Sequence, residues 1–238
     1  EELLRDLSRI ERAGFKKVFS NDIDPFCKIT YDLNFNTTKL TVEDIFKVQE
    51  TDLPRFDLLA GGFPCQPFSI AGYRKGFDDE GRGDVFFEII RILEHTSPAA
   101  VFLENVKNLA SHDDGKTYAI IERELRDLGY HIKSAVLNTM EYGGIPQNRE
   151  RLYIVGFKDK EHADNFSFPR PIPLKLKVAD LLDSDVPEKY YYRKNSSIYK
   201  ALKEKVTSKD TVYQWRRHYV RENKKGVCPT LTANMGMG

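Results

Sequence analysis

Cys65 is the side chain of this sequence best suited to nucleophilic chemistry. It lies in the segment 61–69 (GGFPCQPFS), which directly follows the mostly apolar segment 56–60 (FDLLA), predicted to be a buried strand. A thiol on a glycine- and proline-shaped turn at the end of a strand is partly exposed, and backbone N–H groups or nearby cations can stabilise its thiolate. The alternative is a buried cysteine that packs as a small apolar side chain, and we keep that interpretation for Cys27 and Cys228.

A carboxylate and two guanidinium groups are expected close to Cys65. Glu104 and Asn105 end the next long apolar run, and the carboxyl ends of neighbouring parallel strands meet at one edge of a sheet. Arg149 and Arg151 precede a later apolar run and are expected near the same edge. Two alternatives remain open, because the glutamate and asparagine could cap a helix and the arginines could form surface salt bridges.

The spacing of apolar residues predicts an α/β fold that would position these groups. Apolar residues three or four positions apart predict helices, and short continuous apolar runs predict strands. The predicted helices are 1–14, 25–34, 85–93 and 116–128, and the predicted strands are 16–20, 56–60, 98–103, 132–137 and 152–157. Asp24 followed by Pro25 is a start signal for the second helix. This alternation predicts a parallel sheet with helices on both faces, whose ligands bind at the carboxyl ends of the strands.

The composition is that of a globular protein. The 238 residues are 40% hydrophobic and 31% charged, which suits one sizeable domain and an appendage. No run of about 18 apolar residues could span a bilayer, and the N-terminus carries charges where a secretory signal is apolar, so we expect a cytoplasmic protein. Three scattered cysteines do not form a disulfide framework, and no pair has the spacing of a zinc site, so no metal is expected.

A proline-rich connector at 168–173 (FPRPIP) ends the alternating pattern, and we expect one domain at 1–170 and a second at 171–238. The stretch 189–225 contains 12 Lys/Arg against 3 Asp/Glu, six of the twelve tyrosines and the only tryptophan, whereas the rest of the chain has a net charge of −8. Such a segment could bind a phosphate backbone and stack against bases. A solvated basic face is the alternative.

Three motifs occur in order on successive strand ends: Pro-Cys-Gln at 64–66, Glu-Asn-Val at 104–106 and Gln-x-Arg-x-Arg at 147–151. Together they resemble the DNA (cytosine-5) methyltransferase family of the bacterial restriction–modification type. The resemblance extends from about Gly14 to Gly238 and includes the segments 20–24 (SNDID), 42–45 (VEDI) and the glycine-rich 72–83. It implies a Rossmann-like sheet of the S-adenosylmethionine-dependent methyltransferases with helices on both faces, plus a smaller target-recognition domain that is incomplete here.

The resemblance implies a covalent route to a methylated cytosine. Cys65 would attack carbon 6 of the base, and carbon 5 would then take the methyl group of S-adenosylmethionine, leaving S-adenosylhomocysteine. Loss of the carbon-5 proton would free Cys65. Cytosine accepts a thiolate poorly unless electron density is drawn toward N3, so Glu104 would act as an acid at that edge. Arg151 would hold the O2 carbonyl and orient Glu104, with help from Arg149.

The implied substrate is double-stranded DNA with the target cytosine flipped out of the duplex, because the base cannot be reached inside it. Gln66 would fill the gap, Ser69 would hold a phosphate, and Thr230 would support a contact with the DNA backbone. Asn105, grouped with these DNA-binding residues, would position the loop that bears the carboxylate. The segment 70–84 would be a mobile loop that closes over DNA, with an ordinary surface loop as the alternative. The protein is expected to be a monomer, and a cognate restriction endonuclease would act on the same DNA site without binding it.

Two carboxylates would anchor S-adenosylmethionine. Asp22 would hold the ribose hydroxyls, as carboxylates do in related folds, and Asp44 would accept a hydrogen bond from the adenine amino group. Apolar contacts complete the implied set, with Ile23 on adenine, Ile45 beside Asp44, and Pro64 and Val85 at the methionine end. An acidic residue after a strand also serves as a helix cap, which is the alternative for both carboxylates.

The sequence departs from the family pattern at both ends. No Phe-x-Gly-x-Gly-Gly turn occurs before Gly14, and the closing Arg-Glu-Cys and Gly-Asn motifs are absent. We expect either a longer natural chain, with a segment missing near Ser8, or a truncation that would bind cofactor poorly. Two other functions are kept as alternatives. One is a tRNA cytosine-5 methyltransferase of the same family, against which the basic segment argues, and the other is a non-catalytic DNA-binding fragment.

Overall fold

The computed structural model describes residues 12–64, 85–209, 211–216, 218–223 and 226–231. Cys65, Gln66, Ser69 and the predicted loop at 70–84 lie outside these residues, as does most of the predicted helix at 1–14.

Helices and strands alternate along the described chain, which confirms the predicted α/β fold. The strands are β1 Asn21–Asp22, β2 Thr41–Val42, β3 Leu58–Gly62, β4 Ala100–Val106, β5 His131–Asn138, β6 Gln147–Asn148, β7 Glu150–Phe157, β8 Val212–Arg216, β9 Tyr219–Asn223 and β10 Cys228–Pro229. The helices are α1 Pro25–Asn34, α2 Val85–Thr96, α3 Lys116–Asp127, α4 Thr139–Tyr142, α5 Lys160–Asn165 and α6 Ser197–Lys205.

The main sheet has the strand order β3-β4-β7-β5 and is mixed, which corrects the prediction of a parallel sheet. β3 and β4 are parallel, with Gly62 opposite Glu104 at their carboxyl ends. β7 runs in the opposite direction. The N–H of Lys158, just after β7, donates to the carbonyl of Ala99, just before β4, at 2.9 Å, so the end of β7 lies beside the beginning of β4. The short connection from β5 to β7 accounts for the antiparallel direction of β7, since residues 139–149 are too few for the crossover helix that a parallel pair requires.

The main core lies between α2, α3 and the strands β4 and β7. α2 buries residues spaced three, four and seven positions apart, as an amphipathic helix does, and β4 buries alternate residues. Each fully buried leucine or phenylalanine stabilises the fold by about 1.5–3 kcal/mol relative to an exposed one. The buried apolar residues of these four elements include Phe86, Ile89, Ile90, Leu93, Val101, Leu103, Ile121, Leu125, Leu152 and Ile154.

Local signals set the ends of the helices. A carboxylate oxygen of Asp24 accepts the N–H of Phe26 at 2.8 Å, and α1 spans the predicted range 25–34. α3 is followed by Gly129, whose φ of +83° is the left-handed conformation that suits glycine after a helix. Residues 16–20 do not form the predicted strand. Hydrogen bonding to β2 begins only at Ser20, whose carbonyl accepts the N–H of Thr41.

The chain forms two compact units. The first comprises Glu1–Ala135 and Leu152–Ser167, and the second comprises Val136–Arg151 and Phe168–Gly238. The stretch 136–151, which lies before the predicted boundary near residue 170, thus belongs to the second unit, and the division into domains at 170 stays a prediction. The second unit contains the antiparallel hairpin β8–β9 and the parallel pair β10–β6.

Across the described ranges, no helix combines the length and apolar character needed to cross a membrane. The same residues contain no group of three or more His, Cys, Asp or Glu side chains placed to hold a metal ion.

Candidate functional site

The carboxylate of Glu104 lies against the end of β3. Gly62 is paired with Glu104 in the β3–β4 ladder, and a Cβ atom on Gly62 would lie 3.3 Å from Oε2 of Glu104. Glycine therefore leaves room for the carboxylate at the point where the chain turns toward Pro64. Cys65 follows outside the described residues, so its distance from Glu104 stays a prediction.

Asn105 joins the ends of the same two strands. Its side chain is 3% exposed, its amide nitrogen donates to the carbonyl of Phe63 at 2.8 Å, and its amide oxygen accepts the N–H of Val106 at 2.8 Å. A buried amide with both groups satisfied is expensive to disturb. This arrangement supports the expected role in positioning the loop, here through the residue two before Cys65, and it leaves the amide group little scope for contacting DNA directly.

The two candidate arginines belong to the second unit. The backbone of Arg149 is held at both sides, because its N–H donates to the side-chain oxygen of Asn138 at 3.1 Å and its carbonyl accepts the N–H of Thr139 at 2.9 Å. Arg151 donates from Nη1 to the carbonyl of Glu150 at 2.8 Å. The expected contact of these guanidinium groups with Glu104 stays a prediction.

Thr230 is fixed to the strand that precedes these arginines. β10 pairs with β6, with Cys228 opposite Gln147 and Pro229 opposite Asn148. The hydroxyl of Thr230 donates to the carbonyl of Asn148 at 2.9 Å. Its oxygen can still accept a hydrogen bond, and its expected support of a DNA backbone contact stays a prediction.

Two carboxylates lie at the carboxyl ends of adjacent parallel strands in the first unit. β1 ends at Asp22, which is paired with Val42 at the end of β2, and Asp44 follows two residues later. Asp22 accepts the N–H of Asp24 at 2.8 Å, and Asp44 caps a 3₁₀ turn by accepting the N–H of Phe46 at 3.2 Å. Both use Oδ1 for these contacts, so capping and ligand binding through Oδ2 are compatible.

The apolar residues expected around the cofactor differ in exposure. Ile23 is 65% exposed beside Asp22, and Pro64 is exposed at the end of β3. Ile45 and Val85 are half-buried, and Val85 packs against the main core. An exposed isoleucine beside a carboxylate is a surface on which a flat aromatic ring can pack.

The second unit contains a polar cleft that the sequence did not predict. Cross-strand pairing places Gln214 opposite Arg221, so both point to the same face of the hairpin as Arg216. The cleft has a volume of about 360 Å³, and its lining residues are Asn148, Gln214, Arg216, Arg221, Asn223, Pro229 and Thr230. The high basic content of 189–225 was the available signal, but it did not distinguish the cleft-facing residues from the others.

The other two cysteines are poor nucleophiles. Burial raises the pKa of the Cys27 thiol, and the nearby carboxylates of Asp22 and Asp24 raise it further. Burial also raises the pKa of the Cys228 thiol. A smaller fraction of each thiol is therefore ionised at neutral pH than in an ordinary cysteine, which agrees with the interpretation of both as packing residues.

The chain matches known cytosine methylases along nearly its whole length. The family described as C-5 cytosine-specific DNA methylase matches residues 8–235. Type II methyltransferase M.Bsp6I of Bacillus sp. (strain RFL6) is 51% identical over 98% of this chain and 75% of its own length. Type II methyltransferase M.HhaI of Haemophilus parahaemolyticus is 43% identical over 78% of this chain and 56% of its own. The chain thus spans from about half to three quarters of these relatives.

Two solved structures share the fold. The S. pombe Dnmt2 methyltransferase has a TM-score of 0.57 at 23% identity, over 76% of this chain and 58% of that one. A Spodoptera frugiperda DNMT2 mutant (E260A/E261A/K263A) also has a TM-score of 0.57, at 21% identity, over 75% of this chain and 56% of that one. At this identity the likeness establishes the α/β methyltransferase fold alone. The family match and the identity to M.Bsp6I establish more: this chain belongs to the C-5 cytosine-specific DNA methylase family.

Proposed function

We propose that this protein methylates carbon 5 of a cytosine within a specific sequence of duplex DNA, through a covalent intermediate with Cys65. The observation that supports the proposal is the strand-end arrangement in which the Glu104 carboxylate lies against Gly62 and Asn105 holds the carbonyl of Phe63, in a chain that belongs to this family.

Cys65 begins the reaction by forming a bond from its sulfur to carbon 6 of cytosine. Glu104 protonates or hydrogen-bonds N3, which takes up the electron pair displaced from the ring. After carbon 5 has gained the methyl group, its proton passes to water, and the electrons of the carbon 5–hydrogen bond form the double bond between carbon 5 and carbon 6. The sulfur–carbon bond breaks in the same step and returns the thiolate. Arg151 and Arg149 stabilise charge at O2 and orient Glu104.

S-adenosylmethionine, when bound, supplies the methyl group. The residues present fit it, since Asp22 and Asp44 place two hydrogen-bond acceptors at one edge of the β1–β2 pair. Asp22 accepts from the ribose hydroxyls and Asp44 accepts from the adenine amino group. Ile23 packs on the purine, Ile45 lies beside Asp44, and Pro64 and Val85 line the methionine end. No residue in this scheme requires a metal.

The second unit holds the DNA. Arg216 and Arg221 on one face of the β8–β9 hairpin attract phosphate groups, and Gln214 lies between them to contact base edges. Thr230 supports the backbone contact beside this cleft. Gln66, which we propose fills the space of the flipped base, and Ser69, which we propose holds a phosphate, lie outside the described residues.

In its biological setting the protein acts as a monomer in the bacterial cytoplasm, associated with the nucleoid through DNA. It protects the site that a cognate restriction endonuclease cuts, without contact between the two proteins. Its relatives M.Bsp6I and M.HhaI are Type II methyltransferases, which supports the role in restriction–modification.

The proposal is tested by incubating the intact protein with tritiated S-adenosylmethionine and duplex DNA, beside the variant Cys65→Ala. Duplexes containing 5-fluorocytosine trap the covalent adduct, because fluorine cannot leave as the proton does. We expect label in DNA and an adduct that the variant cannot form. Label in tRNA alone would replace DNA with RNA as the substrate. Salt-dependent DNA binding with no methyl transfer, in a preparation that binds cofactor, would favour a non-catalytic DNA-binding protein.

A further inference from the structure

Arg91 on α2 joins a carboxylate of its own helix to one carboxylate and two backbone carbonyls of the segment 45–50, all within the first unit. Its Nε donates to Oε2 of Glu88 at 2.8 Å, one turn earlier on the same helix. Its Nη1 donates to Oε2 of Glu50, far away in the sequence. Its Nη2 donates to the carbonyl of Val48 at 2.8 Å and to that of Ile45 at 3.2 Å. The guanidinium group therefore uses all three nitrogens within the protein.

These contacts are made where side chains are largely removed from solvent. The exposed fractions are 23% for the Arg91 side chain, 27% for Glu50 and 6% for Glu88. The pKa of the Glu50 carboxyl is lowered by a hydrogen bond from its own backbone N–H and further by the charge of Arg91. Glu50 is therefore an anion throughout the neutral range and can pair with the Arg91 guanidinium.

The segment that Arg91 holds is the one that carries Asp44. Asp44 caps the 3₁₀ turn Ile45–Lys47, and the carbonyls of Ile45 and Val48 mark the beginning and the end of that turn. Two hydrogen bonds from one rigid, planar group fix both positions at once, which a lysine ammonium with its flexible stem and point charge cannot do in the same geometry. The turn is thereby tied to α2.

We propose that Arg91 is a positioning residue for cofactor recognition, which sets the Asp44–Ile45 turn so that the Asp44 carboxylate meets the amino group of a purine. The inference rests on the proposed function, since it takes Asp44 as the acceptor for the adenine of S-adenosylmethionine. Arg91 itself does not touch the cofactor in this scheme. Its effect on binding passes through the turn and is specific for the base.

The test compares two ligands that differ at one ring position. Binding of S-adenosylhomocysteine and of its inosine analogue, which carries an oxygen in place of the amino group, is measured by calorimetry without DNA. The intact protein is compared with Arg91→Lys, Asp44→Ala and the double variant. Arg126→Lys is the matched control, because Arg126 forms an exposed pair with Glu122 on α3 at 2.5 Å. Thermal unfolding without ligand shows whether each variant is folded.

We expect the wild type to prefer the adenosine ligand, and Asp44→Ala to lose this preference. Arg91→Lys should lower the affinity for the adenosine ligand roughly tenfold while the inosine ligand changes little, and adding it to Asp44→Ala should cost nothing further. Arg126→Lys should match the wild type. Equal loss for both ligands in a folded Arg91→Lys protein would overturn the inference and leave Asp44 as proposed. If the wild type does not distinguish the ligands, or Asp44→Ala keeps the preference, the proposed cofactor contact fails instead.

Should Arg91→Lys fail to fold, Glu50→Gln decides the matter. It removes one charged partner of Arg91 at a partly exposed position and keeps the side-chain volume. Reduced discrimination between the two ligands supports the inference, and full discrimination together with a lower unfolding temperature overturns it.

Discussion

At the scale of single residues, Asn105 is a buried polar residue of the candidate site whose amide nitrogen and oxygen both have hydrogen-bond partners. Replacing it by alanine leaves the carbonyl of Phe63 and the N–H of Val106 without their buried partner. We expect the free energy of unfolding to fall by about 1–3 kcal/mol. We also expect kcat to fall by about 100-fold, since a small displacement of the turn misplaces the nucleophile. Urea unfolding and steady-state methylation measure the two effects.

Asn108, three residues later and exposed, provides the control for that substitution. Asn108→Ala should change the stability by less than about 0.5 kcal/mol. Asn105→Asp separates the two hydrogen bonds, because a carboxylate accepts the N–H of Val106 but cannot donate to Phe63. An Asn105→Asp protein as stable and active as the wild type would show that the bond to Phe63 is not needed.

A second residue-scale prediction concerns the thiols. The pKa values of Cys27 and Cys228 are raised, so the thiolate fraction of both rises only at a higher pH than in an ordinary cysteine. Treatment of the native protein with iodoacetamide near pH 8 should therefore modify Cys65 first, and modification of the other two should increase as the pH is raised. Mass spectrometry of tryptic peptides over time measures the order. Equal rates at all three cysteines in the native protein would contradict it.

At the scale of elements, the sequence was sufficient to predict features that depend only on neighbouring residues. Asp24 and Pro25 predicted the start of α1 to the residue. The direction of β7 was not predicted, because the predicted strands at 132–137 and 152–157 leave residues 138–151 between them, enough for a crossover helix, whereas the observed strands are longer and leave only residues 139–149. An i, i+3 pair of Glu88 and Arg91 is visible in the sequence, whereas the contact of Arg91 with the distant turn requires the packed fold.

Close approach of the strands in the main sheet gives a prediction at this scale. A Cβ atom on Gly156 of β7 would lie 2.7 Å from Cδ1 of Ile132 on β5 and 2.8 Å from Cγ1 of Val101 on β4. Gly156→Ala must therefore displace both of these side chains, at a cost of about 1–3 kcal/mol in the free energy of unfolding. Gly61→Ala in β3 is the control, since its Cβ would have no neighbour within 4 Å. Chemical denaturation of both variants measures the difference, and equal stability would mean that the sheet has space at Gly156.

At the scale of the whole molecule, the charge distribution is more informative than the net charge of +1. The segment 189–225 carries 12 Lys/Arg against 3 Asp/Glu, so the remaining residues are acidic overall. Duplex DNA should therefore be attracted to the second unit and repelled by much of the first. Each phosphate that a basic side chain neutralises contributes a slope of about −0.9 to the dependence of log affinity on log salt concentration.

This separation predicts different effects for arginines of the two units. Arg221→Gln, in the cleft of the second unit, should weaken DNA binding and make the salt slope shallower by about 1, because one phosphate contact is lost. Arg123→Gln, an exposed arginine of α3 in the first unit, removes the same charge and should leave the slope unchanged. Fluorescence anisotropy with a labelled duplex over a range of salt concentrations measures both. If the two variants lose affinity equally, net charge alone governs DNA binding, and the cleft has no special part in it.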